Sequence, residues 1–365
     1  MRSEYFTAPV LAGLASLQNH AQQWLVDKAM AWPTQPPLNK IDLHHHFVPD
    51  FLAKAIHDAG GDPSGWATPK WSPSSSRMIM KHLGVQTSIL SVTAPGPMIT
   101  KDPAEQAALV RRLNEYAAEL RDEDHSAFGF FATLPDITNT SAALAEIAYA
   151  LDTLKADGVT LFTRYGDGAT YLGNPALEPV WKELDRRAVT VFVHPTTPVD
   201  KNLVNPYMLG PMIDYPHETT RTAMDMITSG TLKKFPNVKV ILSHAGGTLP
   251  YLISRLATPL RKVTDVIANW NVGTTHDDAL QAFRSFYYDT ALSSSPHVLQ
   301  LLLDSVPHDH IVFGSDFPYA PAPAYPTFLE DLEAFDFTPA MRNKLNFENA
   351  QVLISRLGKH MDELK

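Results

Sequence analysis

The chain has 365 residues, 44% of them apolar and 19% charged, so it can bury a large core and is not compositionally disordered. Its formal net charge of −9 comes without a basic stripe, which argues against nucleic acid and anionic membrane surfaces as partners. Cysteine is absent, which excludes disulfides, thiolate nucleophiles and Cys-type zinc sites and leaves imidazoles and carboxylates to hold any metal.

Residues 1–38 read as an N-terminal helical extension and linker. Leu11, Leu14, Leu17, Trp24 and Leu25 have helical spacing within 8–30, and 32–37 contains three prolines. The start lacks a basic stretch followed by an apolar run, and no segment approaches the roughly 18 apolar residues of a membrane span. A cytoplasmic location is the expectation.

Residues 39–365 read as one domain. Strands are predicted over 40–44, 87–92, 127–132, 159–163, 190–193, 239–243, 286–289 and 310–313. Helical patterns separate them, over 49–59, 103–122, 141–157, 175–187, 219–235, 249–267 and 296–304, with two more over 324–335 and 339–357. Strand alternating with helix predicts parallel βα units, and eight such units predict an α/β fold, a (β/α)8 TIM barrel. Two long loops, 60–76 and 196–217, follow the first and fifth strands on the side where barrels carry chemistry.

The first strand ends in His44-His45-His46. Alternation along a strand puts His44 and His46 on one face and turns His45 toward the surrounding helices. His194 ends the fifth predicted strand, His244 follows the sixth, and Asp316 follows the eighth in Gly314-Ser315-Asp316-Phe317-Pro318. Imidazole and carboxylate suit a divalent cation, zinc first and manganese second. His44, His46, His194 and Asp316 form a candidate ligand set with room for water or substrate. His244 reads as a further ligand, a general base or a substrate contact.

Together, Asp42-x-His44-x-His46, His194-Pro195, His244-Ala-Gly-Gly-Thr-Leu-Pro-Tyr-Leu and Gly314-Ser-Asp316-Phe-Pro resemble the metal-dependent amidohydrolase superfamily, and within it the aminocarboxymuconate-semialdehyde decarboxylase branch. Gly65-Trp66, Trp71-Ser72-Pro73, Ser91–Gly96, Leu161–Tyr165 and Tyr171–Pro175 resemble members of that branch acting on 6-methylsalicylate. The resemblance implies one metal on His44, His46, His194 and Asp316, no organic cofactor, and His244 in catalysis. It implies a homodimer in which Arg255 reaches the neighbouring subunit's substrate carboxylate. Asp42 stands where some relatives have Glu and is expected to orient a ligand imidazole instead.

The implied reaction is non-oxidative loss of carbon dioxide from an ortho-hydroxybenzoate, 6-methylsalicylate going to m-cresol, with Asp316 as proton donor assisted by His244. Trp66, Trp71 and Phe317, with Tyr319, are candidates for the aromatic-accepting pocket. A different class remains open: the same metal could activate water, with Asp316 as general base, in a hydrolase for a lactone or amide.

Overall fold

The structure is a computed structural model describing residues 37–362 except 167, 169, 206, 263–273 and 322. The helix predicted over 8–30 lies outside the described residues. Eight parallel strands form one sheet: β1 (Lys40–His46), β2 (Val85–Ser91), β3 (Phe128–Thr133), β4 (Gly158–Phe162), β7 (Thr190–His194), β8 (Lys239–Leu242), β9 (Tyr287–Asp289) and β10 (Ile311–Val312). The first and last strands close it into a barrel. Leu43 N–H donates to Phe313 O at 3.0 Å, Asp316 N–H to His44 O at 2.8 Å, and His46 N–H to Phe317 O at 2.7 Å. The (β/α)8 expectation is met. A short hairpin, β5 (Arg164–Tyr165) and β6 (Thr170–Tyr171), is an addition that the strand pattern did not anticipate.

All seven residues of β1 are buried, as in a barrel strand covered on both faces. Inside, Ile41, Leu43, Ile89, Phe131, Phe192, Ile241 and Val312 pack against Leu353, Ile354 and Leu357 from the C-terminal helical segment. That plug closes the end of the barrel opposite the site.

Strand β1 departs from simple alternation. Its register against β2 advances three residues, from Asp42 to His45, while β2 advances two, from Ser88 to Leu90, which is a one-residue bulge. Leu43 and His44 therefore both enter the interior, and Asp42 and His45 share the outer side. His44 and His46 still face the same way, both turning Nε2 toward Asp316 Oδ1.

Helices surround the barrel: α1 (Asp50–Asp58), α2 (Pro73–Leu83), α3 (Pro103–Glu123), α4 (Thr140–Ala148), α5 (Glu178–Arg186), α6 (Gly210–Thr228), α7 (Leu249–Ala257), α8 (His276–Ser285), α9 (Pro296–Ser305) and α10 (Ala324–Ala334). Two of these, α2 and α8, were not predicted. The signal for α2 was present: Ser72 and Ser75 form a capping box, Pro73 takes the first turn, and Gly84 ends the helix at φ 71°. Helix α6 starts nine residues before the predicted 219. Its prolines read as loop punctuation, but Pro211 sits in the first turn and Pro216 inside the helix.

Pro216 leaves its turn of α6 close to the segment after β8. A Cβ on Gly247, which has φ +64°, would lie 2.0 Å from Pro216 O. Gly247→Ala is expected to destabilise the protein by about 3 kcal/mol or more, combining a left-handed backbone with a clash against backbone that cannot yield. Urea unfolding of the variant measures it.

Candidate functional site

The site sits at the carboxyl ends of the strands. His44 and His46 come from the end of β1, His194 ends β7, His244 follows β8, and Asp316 follows β10. Each strand-end imidazole has one nitrogen fixed from behind. His44 Nδ1 lies 2.7 Å from Asp289 Oδ2. His46 Nδ1 lies 3.0 Å from Ser91 Oγ and 3.2 Å from Ser91 O. His194 Nδ1 lies 2.8 Å from Pro195 O. Carboxylate and carbonyl acceptors place the proton on Nδ1 and turn Nε2 inward as a lone-pair donor.

The inward atoms crowd together. His44 Nε2 and His46 Nε2 are 3.0 Å apart, and each lies 3.1 Å from Asp316 Oδ1. One ligand atom from each of His44, His194, His244 and Asp316 falls within 4.8 Å of all the others. Ligands about 2.1 Å from a tetrahedral ion lie about 3.4 Å from one another, so the spacing suits one ion. Asp316 Oδ1 is buried without a hydrogen-bond donor, and lone pairs converging on it are mutually repulsive unless a cation lies among them. The donor set, drawn from the imidazoles of His44, His46, His194 and His244 with the Asp316 carboxylate, fits a single divalent metal.

The protonation pattern without a metal agrees. Burial opposes charge on His44, but the carboxylates of Asp289 and Asp316 outweigh it and push its pKa up to about 10. Burial, and then the neighbouring His44 charge against the help of Asp316, holds His46 down at about 4. His194 is held well below its ordinary value by burial and by His46 and His44. Asp316, despite burial, is held well below the usual carboxylate range by the charge of His44 and by the facing imidazoles of His244, His44 and His46. One proton on His44 thus occupies the place a cation would take. Asp316 Oδ2 lies 3.3 Å from His244 Nε2.

Backbone conformation aims the two groups. His244 has φ 55° and Asp316 φ 60°, a region that costs a non-glycine residue of order 1 kcal/mol. Local hydrogen bonds hold both: His244 N–H donates to Asp289 Oδ1 at 2.8 Å, and Asp316 N–H to His44 O. Asp289 therefore sets the His44 tautomer and places His244. The sequence reading did not single it out, although a carboxylate ending a predicted strand was the available signal.

Asp42 is corrected. It does not orient a ligand imidazole. Oδ1 accepts from the backbone N–H of His44 at 3.1 Å and of Ser315 at 3.0 Å. Oδ2 accepts from Ser315 Oγ at 2.6 Å and lies 3.0 Å from His45 Nδ1. The bulge explains this, because it puts Asp42 and His45 on one side. His45 continues outward to Ser76 Oγ on α2 at 2.9 Å.

A cavity of about 390 Å³ opens above His194, His244 and Asp316. Trp66 and Tyr319 line it. Trp71 and Phe317 are corrected: they are not among its lining residues. Trp71 is buried and donates its indole N–H to Ser76 Oγ at 2.8 Å. Phe317 is buried against the rings of His45 and Tyr325. Both are bulky aromatics beside the site in sequence, and packing behind β1 claimed them. Arg255 is exposed on α7 and does not line its own chain's cavity. Asp62, Ser64, Thr93 and Tyr215 line the cavity and were not singled out from sequence.

The amidohydrolase family profile matches residues 41–354. A 6-methylsalicylic acid decarboxylase of Penicillium expansum is 48% identical over 326 residues, covering 89% of this chain and 99% of that protein. A solved amidohydrolase II superposes with a TM-score of 0.78 at 31% identity, covering 87% of this chain and 99% of the other. The dihydroxybenzoic acid decarboxylase of Polaromonas sp., solved with manganese and the inhibitor 2-nitroresorcinol, gives 0.74 at 23% identity, covering 87% and 97%.

Proposed function

The chain belongs to the amidohydrolase family, and from that premise we infer that it is a metal-dependent carboxy-lyase converting 6-methylsalicylate to m-cresol and carbon dioxide. The observation that carries this reading is the convergence of the His44, His46, His194 and His244 imidazoles and Asp316 beneath an apolar cavity, in a chain with a near-full-length relative of that activity. The cavity falls within the size range of ordinary small-molecule pockets, about 300–1,000 Å³. Nothing in the geometry favours the hydrolase reading.

One divalent metal is the cofactor in this reading. His44, His46 and His194 through Nε2, with Asp316 through Oδ1, would hold it. Zinc is our first assignment, although manganese suits the same donors. When bound, the cation supplies chelation of the substrate's carboxylate and phenol oxygens and polarises the phenol.

The residues of the chain handle the proton. Direct loss of carbon dioxide would leave an aryl anion, so the ring carbon bearing the carboxylate must first be protonated. The proton held between His244 Nε2 and Asp316 Oδ2 passes to that carbon, with Asp316 as the donor next to the ring. The resulting dienone loses carbon dioxide, and the bonding electrons restore the aromatic ring. His244 then regains a proton from solvent through the cavity, completing one proton per turnover. Trp66 and the other apolar lining residues exclude water and hold the ring.

No helix among the described residues is long and apolar enough to cross a membrane. A cytoplasmic homodimer with Arg255 reaching the second copy's substrate completes the reading.

The test is gas release. Protein loaded with zinc or manganese and given 6-methylsalicylate is expected to yield equimolar carbon dioxide and m-cresol. No carbon dioxide from that compound or from a panel of hydroxybenzoates would overturn the assignment.

A further inference from the structure

Among the described lining residues, Asp62 is the one charged residue that neither the metal reading nor the proton route uses. It lies in the loop between α1 and α2, half-buried, with Oδ1 accepting the Ser64 backbone N–H at 2.8 Å. Around it the cavity wall is mostly apolar, including Trp66, Pro211, Met212, Leu292 and Phe328. Among the described lining residues there is no lysine or arginine. Burial raises the Asp62 carboxyl to about 6, opposed by hydrogen bonds from Ser64 and by no neighbouring cation.

The two carboxylates of the cavity differ in their surroundings. Asp316 is surrounded by imidazoles and, in the metal-loaded protein, by a cation. Asp62 is not. Tyr215 and Tyr319 line the cavity and feel both carboxylates, which, after burial, help to keep their hydroxyls un-ionised. The field of Asp62 therefore reaches the space that the ring of a bound aromatic acid would occupy, and nothing in that wall neutralises it.

We propose that Asp62 is a specificity-determining residue: it rejects ring substituents that carry negative charge, so the site takes aromatic acids with one carboxylate and neutral or apolar substituents. This rests on the decarboxylase reading, in which the chelating carboxylate and phenol occupy the metal end and the rest of the ring faces the Asp62 wall. A second carboxylate there meets an uncompensated like charge in a poorly solvated pocket, a juxtaposition that works by exclusion instead of attraction.

The experiment is calorimetric binding to the manganese-loaded full-length protein near pH 8, about two units above the Asp62 value. The probes are salicylate, 4-hydroxyisophthalate and 2-hydroxyterephthalate; the latter two add a carboxylate on the side of the ring away from the chelating pair. We expect both dicarboxylates to bind at least about 30-fold more weakly than salicylate, and Asp62→Asn to shrink that ratio to about 3-fold. A ratio near one in the wild type, or an unchanged ratio in folded Asp62→Asn or Asp62→Ser protein, overturns the proposal. The wild-type ratio decides alone if neither variant folds. Binding is read without turnover, so salicylate binding with no gas release from 6-methylsalicylate sinks the decarboxylase reading and leaves the charge test standing.

Discussion

Asp316→Asn is expected to lower kcat for carbon dioxide release by about 1,000-fold or more while the protein stays folded. The amide matches the carboxylate in size, so the fixed left-handed backbone at φ 60° and the hydrogen bond from its N–H to His44 O survive. Two functions are lost together. An amide cannot accept the His244 proton at Oδ2 and pass it to the ring. It also replaces an anionic oxygen 3.1 Å from both His44 Nε2 and His46 Nε2 with a neutral one. Metal analysis of the same preparation separates these. A variant that keeps its metal and loses turnover has lost the proton route. One that loses both has lost the site. Turnover near the wild-type level would remove Asp316 from the reaction.

Stripping the metal with a chelator is expected to take carbon dioxide release to background, with recovery on adding zinc or manganese. His194→Ala should reach a similar endpoint by another route, binding metal more weakly because a buried Nε2 donor is gone. Loaded protein should also melt at a higher temperature, since a ligand that binds only the folded state at 1,000 times its dissociation constant adds about 4 kcal/mol.

The stripped protein carries a pH signature. His44 is held protonated up to about 10 against an ordinary 6.5, the value it regains when unfolded. Its contribution to stability is therefore complete below 6.5 and disappears as pH rises through about 10. Melting temperatures of stripped protein should fall across that window, and those of loaded protein should hold, because the cation has displaced the proton. Identical profiles for the two forms would mean that metal and proton do not share a place.

The barrel was legible from its period. Eight short β-branched or aromatic runs alternating with helical patterns leave few other arrangements, and the ends of those runs pointed to His44, His46, His194, His244 and Asp316. Less visible was anything decided by a single extra residue. The bulge between Asp42 and His45 does not alter hydrophobic spacing enough to be read, yet it moves Asp42 off the ligand face. Proline misled in α6, where Pro216 is carried inside the helix. Aromatic residues misled near the site, because Trp71 and Phe317 look the same in sequence whether they face a ring-shaped ligand or the back of a strand. Asp62 sits in a stretch with no pattern beyond its own charge, and only the closed barrel assigns it neighbours, whereas Asp289 ends a predicted strand and its signal was passed over.

The hydrogen bonds that close the barrel join residues far apart in the chain: Asp42 accepts from Ser315 across 273 positions. During synthesis, the histidines of β1 emerge long before the carboxylate that completes their set. A nascent chain can present imidazoles to passing cations but cannot enclose one, and loading waits for the last strand to dock beside the first. Fragments ending before Gly314 should therefore hold metal loosely or not at all, so that a truncated translation product does not sequester the ion.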